Sequence, residues 1–146
     1  MSLSEELKNT IKTDLMKHEG IRFEVYLDTE NLPTGGIGHL ITDDSYSVGE
    51  EIPANVVDKW FEEDFEEAVT DCCAIFLNFT SHPENVQRVL VNMAFNLGRP
   101  RLSKFKNMVS AVNEGNYNKA ADEMIDSKWY RQVKTRGVEL VEWMRG

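Results

Sequence analysis

Apolar residues recur every three or four positions along most of the chain, with one short stretch where they alternate instead. Leu3, Leu7, Ile11 and Leu15 fall on one face of a predicted amphipathic helix. Ser2 stands three residues before Glu5, the spacing of a capping box, and Gly20 closes the segment. Over residues 21–28 the period becomes two, because Phe23, Val25 and Leu27 alternate with Arg22, Glu24 and Tyr26. That is a strand pattern. A polar, turn-rich run over residues 28–33 follows, and residues 34–39 lead into a second short strand. The expectation is a small hairpin sheet over about residues 21–42 with a loop at 43–49.

From Pro53 the helical period returns and holds almost to the end. Pro53 suits a first helical turn, and Val56, Val57, Trp60, Phe61 and Phe65 begin a stripe that continues through Ala68, Val69, Cys72 and Phe76. This helix is long enough to link two lobes. The next is expected to begin near Pro83, turn Val86, Val89, Leu90, Met93 and Leu97 inward, and stop at Gly98 and Pro100. Shorter helices are marked by Phe105, Met108, Val109 and Val112, by Ala120, Ala121, Met124 and Ile125, and by Val138, Leu140, Val141 and Trp143.

At 146 residues, 41% hydrophobic and 28% charged, the chain suits one globular domain with a sizeable core. Its 16 Lys and Arg against 25 Asp and Glu give a net charge of -9, which argues against nucleic acid as a partner. The excess is local. Residues 50–71 carry nine acids and one base, whereas residues 99–146 carry six acids and ten bases. The acidic run reads as a solvated helix face. Cys72 and Cys73 are neighbours on a predicted helix and point in different directions, so free buried thiols and a reducing compartment are expected. The cysteines and three scattered histidines offer no metal-ligand spacing, and no cofactor is called for. No apolar run reaches the length of a bilayer span, and Glu5 and Glu6 make a poor signal peptide. Synthesis in the cytoplasm without stable membrane association is therefore expected.

Two carboxyls draw attention. Glu19 ends the first helix, where the negative end of the helix dipole disfavours a second negative charge and favours the protonated form that a general acid needs. Asp28 lies in a polar turn that suits an ionised carboxylate. Glycoside hydrolysis uses such a pair, one carboxyl protonating the leaving oxygen and the other assisting water or attacking directly. Spacing alone does not distinguish this from a structural Glu and an Asp capping its own turn. The glycines at 35, 36 and 38 lack the Lys-Ser/Thr of a phosphate loop.

The order Glu19-Gly20, Arg22, Tyr26, Asp28-Thr29, Thr34 and Gly36-Ile37-Gly38-His39 resembles the active-site region of phage-type lysozymes, the T-even kind in glycoside hydrolase family 24. Asn92 to Gly98, and Ser127-Lys128-Trp129-Tyr130 with Arg136, resemble later parts of the same family. The resemblance implies a lysozyme-like α+β fold: a small N-terminal lobe over about 15–55, a joining helix over about 53–79 and a helical lobe over about 80–146, all within one domain. It also implies a muramidase acting on bacterial peptidoglycan, with Glu19 as general acid, Asp28 as the carboxylate that works with water, and Thr34 as the hydroxyl that helps hold that water. Glu30, Leu40 and Phe95 match cleft-lining positions for sugar contact, with a core aromatic an equal reading of Phe95. Arg136 matches an arginine that approaches the catalytic Glu, and His39 is expected to pair structurally with an acid such as Asp64.

Two departures stand out: Asn31 where the family often has Gly, and Gly35-Gly36 for the commoner Ile-Gly, which should loosen the second strand. The implied setting is a monomeric, free-standing endolysin, released to the wall by a holin-type protein. A lysozyme-like carbohydrate-binding protein without turnover, or a protein that meets a basic partner through its acidic face, is the alternative. The three intact residues Glu19, Asp28 and Thr34 speak against the first of these.

Overall fold

The computed structural model describes residues 3–146. Ser2, the expected cap, lies outside the described residues; the hydroxyl of Ser4 accepts from the Leu7 N–H at 3.1 Å and caps the helix instead. Helix α1 (Glu5–Glu19) buries Leu7, Ile11 and Leu15 as its spacing requires. It ends on Gly20, whose φ of 74° is left-handed and whose N–H donates to Met16 O at 2.9 Å.

The sheet has three antiparallel strands, β1 (Arg22–Leu27), β2 (Pro33–Gly36) and β3 (His39–Leu40), in that order, rather than a single hairpin. Gly36 and Gly38, both at positive φ, turn the chain between β2 and β3. The alternation along β1 does not translate into burial. Val25 is buried, but Phe23 and Leu27 are 53% and 48% exposed. The cause is a register break: Arg22 pairs with Gly36 and Tyr26 with Thr34, and the pairing shifts between them. In the break, β1 bonds to the other side, with Val25 N–H donating to Glu50 O, Gly49 N–H to Val25 O and Ile52 N–H to Phe23 O.

The space beside Gly35 in β2 is filled. A Cβ there would collide with Ile52 Cδ1, so the buried Ile52 fills the place of the missing side chain. Asn31 takes the left-handed conformation, φ 62°, as a glycine would.

Helix α2 (Ala54–Ile75) follows Pro53 and stops short of residue 79; a 3₁₀ turn at Phe79–Ser81 follows it. Then come α3 (Glu84–Leu97), α4 (Arg99–Ser103), α5 (Lys106–Asn113), α6 (Tyr117–Ile125), α7 (Lys128–Val133) and α8 (Thr135–Arg145). Pro100 does not merely end α3, because it occupies the first turn of α4, where its missing N–H costs nothing. Ile125 and Val138 are exposed, against the sequence expectation. Cys72 is buried, and burial pushes its thiol well above the ordinary range, but Cys73 is exposed; both are free.

Two compact units result. One is Lys12–Glu67; the other is Ala68–Gly146 together with α1 up to Ile11. In the larger unit α3 packs on α8, and α6 on both α5 and α8. Trp129 is buried there, donating from Nε1 to Asn96 Oδ1 at 2.8 Å with Phe105 edge-on, and Arg88 lies 4.4 Å over the Trp143 ring. Both tryptophans serve packing. Among the described residues no helix is long and apolar enough to cross a membrane.

Candidate active site

The unit Lys12–Glu67 contains Glu19, Asp28, Glu30, Thr34, His39 and Leu40; Phe95 and Arg136 belong to the helical unit. Glu19 is the last residue of α1 and is half-buried. The β2–β3 turn comes up against it. A Cβ on Gly38 would stand 2.6 Å from Glu19 Oε1 and 2.8 Å from Cδ. Only a glycine allows that approach, and Gly38 also sits at φ 62°. The backbone of the turn is thus a wall for the carboxyl.

Asp28 is held as firmly. Its Oδ1 accepts from the N–H groups of Glu30 at 2.8 Å and Leu32 at 2.9 Å, and its own N–H donates to Leu32 O at 3.0 Å. The Asp does cap its own turn, and the turn in return fixes the carboxylate. Thr34 is buried, and its hydroxyl donates to the same Leu32 O at 2.9 Å. The peptide groups of Leu32 therefore orient both Asp28 and Thr34, a role that an unremarkable leucine in a turn does not advertise in sequence. Glu30 and Leu40 are exposed beside this cluster in the chain.

Tyr26 pairs directly with Thr34 across the sheet, and the Arg22 guanidinium lies 4.3 Å over its ring. Burial pushes the Tyr26 phenol up; Arg22 draws it down, and the Glu19 and Asp28 carboxylates push it up again. This electrostatic influence joins Tyr26 to both carboxyls. Tyr26 and Arg22 stand in the family pattern, but nothing in the spacing gave them a part.

His39 Nδ1 and Asp64 Oδ2 are 2.7 Å apart, the expected pair. The imidazole also stacks on Trp60, centroids 4.2 Å apart and planes at 15°, and Tyr46 meets Trp60 edge-on. The cluster fastens the sheet to α2. His39→Ala should cost about 1 to 2 kcal/mol, lowering Tm by about 3 to 8 °C with activity at low temperature retained. Calorimetry beside a rate assay tests this; lost activity at unchanged Tm would refute it.

In the helical unit Arg136 donates from Nε to Asn92 Oδ1 at 2.9 Å, tying α8 to α3, and Phe95 is half-buried on α3. Among the described residues no three His, Cys, Asp or Glu side chains gather in a metal-holding group.

Comparison with known proteins agrees with this architecture. The family model described as phage lysozyme matches residues 16–142. The pre-baseplate central spike protein Gp5 of Enterobacteria phage T4 is 34% identical over 84% of this chain, which spans 25% of that protein. The peptidoglycan hydrolase gp36 of Pseudomonas phage phiKMV is 25% identical over 91% of this chain and 15% of its own length. The endolysin of Salmonella phage P22 is 30% identical, with 77% of each chain covered. With a matching model over most of its length and a mostly helical α+β fold of the same type, this chain belongs to the phage lysozyme family of glycoside hydrolases.

Proposed function

We propose that the protein is a muramidase that hydrolyses the β-1,4 bond between N-acetylmuramic acid and N-acetylglucosamine in bacterial peptidoglycan. Glu19 protonates the leaving oxygen, Asp28 works with the attacking water, and Thr34 holds that water. The substrate class is supported by the relatives, one of them a peptidoglycan hydrolase and another an endolysin.

The observation that carries the roles given to Asp28 and Thr34 is the set of hydrogen bonds at Leu32. Thr34 has one hydroxyl hydrogen, and it is given to Leu32 O. Toward a water, Thr34 can then only accept. The Asp28 carboxylate also accepts, through the oxygen that the turn leaves uncommitted. A water between them donates both its hydrogens and keeps a lone pair for the anomeric carbon. Asp28 takes the proton as the bond forms, and Glu19 delivers its own proton to the departing sugar. Attack by water on the face opposite the leaving group inverts the anomeric centre.

Product analysis tests both the bond and the mechanism. Borohydride reduction of a digest should yield reduced N-acetylmuramic acid ends, and early NMR spectra should show the inverted anomer. Reduced N-acetylglucosamine ends would reject the bond assignment, and a retained anomer would reject direct water attack.

A further inference from the structure

The donors and acceptors around the two carboxyls do not balance. Asp28 accepts, the Thr34 hydrogen is committed, and the Glu19 proton is reserved for the leaving oxygen, so this trio offers a sugar no further donor. A pyranose with hydroxyl, ring and acetamide oxygens needs one.

Tyr26 answers the deficit. It is the cross-strand partner of Thr34, so the two side chains share a face of the sheet with Cβ atoms about 4.5 to 5.5 Å apart. Its ring is held by the Arg22 guanidinium at 4.3 Å. Among the described residues none hydrogen-bonds to its hydroxyl, although the residue is half-buried. Burial disfavours its ionisation and the Asp28 carboxylate adds to this, so the phenol keeps its hydrogen.

We propose that Tyr26 is a substrate-binding residue of the reacting subsite, its hydroxyl donating to an oxygen of the sugar held at Glu19 and Asp28, with Arg22 as the positioning residue that fixes its ring. The inference rests on the catalytic assignment of Glu19, Asp28 and Thr34 made above. It explains why an Arg and a Tyr four positions apart accompany the two carboxyls on β1. The register break between them brings Tyr26 to Thr34 while Arg22 remains paired at Gly36.

The test compares Tyr26→Phe with wild type for kcat/KM and Tm. It also compares Glu19→Gln with Glu19→Gln/Tyr26→Phe for calorimetric binding of an alternating N-acetylmuramic acid and N-acetylglucosamine tetrasaccharide. Removing the hydroxyl should lower kcat/KM by about tenfold and weaken tetrasaccharide binding by a similar factor, with Tm unchanged, as expected for one hydrogen bond. Arg22→Met should give a smaller loss that largely disappears in the Tyr26→Phe background. Equal affinity of the two Glu19→Gln proteins would overturn the proposal, as would a Tm loss accompanied by unchanged affinity. An Arg22→Met loss undiminished in the Tyr26→Phe background would overturn the role of Arg22. If Glu19→Gln itself hydrolysed the wall at the wild-type rate, the catalytic assignment would fail instead, and kcat/KM of Tyr26→Phe at unchanged Tm would decide the part of Tyr26.

Discussion

Glu19→Gln is expected to lower peptidoglycan hydrolysis by about 10³-fold while leaving Tm within a degree or two of wild type. The amide keeps the shape of the side chain at the end of α1 and against Gly38, so packing is preserved. What it loses is a proton that can be released to a leaving oxygen. A turbidity assay on purified walls, run beside a pull-down on the same walls, separates the enzyme from a silent binder. Undiminished lysis by Glu19→Gln would exclude Glu19 as the general acid. Wall binding by the wild type without lysis would instead support the binding-protein alternative.

The second large effect belongs to a residue with no functional group. Gly38→Ala should reduce kcat/KM by about 100-fold and lower Tm by about 3 to 8 °C, because two separate costs arise. A Cβ at φ 62° costs about 1 to 2 kcal/mol of backbone strain. The same Cβ would lie 2.6 Å from Glu19 Oε1, so the carboxyl or the turn must shift. A displacement on the order of 1 Å at a reacting group can cost about 10²-fold in rate. Gly115→Ala isolates the first cost: φ is 76°, yet nothing stands within 4 Å of the added carbon. That variant should lose stability and keep its rate. Equal rates for Gly38→Ala and wild type would show that Glu19 tolerates movement and that the turn does not position it.

Much of this was legible in the residue pattern, and the failures have common causes. The stripes of α1, α2 and α3 were readable because their buried faces follow the helical period without interruption. The β1 pattern misled, since a register break mid-strand uncouples alternation from burial and leaves Phe23 and Leu27 exposed. Helices α4 and α7, of five and six residues, are too short for a period to register. At the site, spacing alone left Glu19 and Asp28 ambiguous; the family pattern singled them out. The hydrogen bonds that orient Asp28 and Thr34 come from backbone groups of Leu32, and a backbone group has no signature in a sequence. Cys73 is exposed beside a buried Cys72, because adjacent helical residues differ by about 100° in direction.

The filling of the Gly35 position by Ile52 has a consequence for how such chains can change. The two positions, seventeen residues apart, share one volume, and only one of them can hold a large side chain. A chain that carries isoleucine at the first must carry something smaller at the second, and the exchange cannot pass safely through single steps: one order of mutation overfills the space, the other empties it. Substitution at these two sites should therefore be coupled through descent, with the pair inherited together, even though neither residue touches the chemistry.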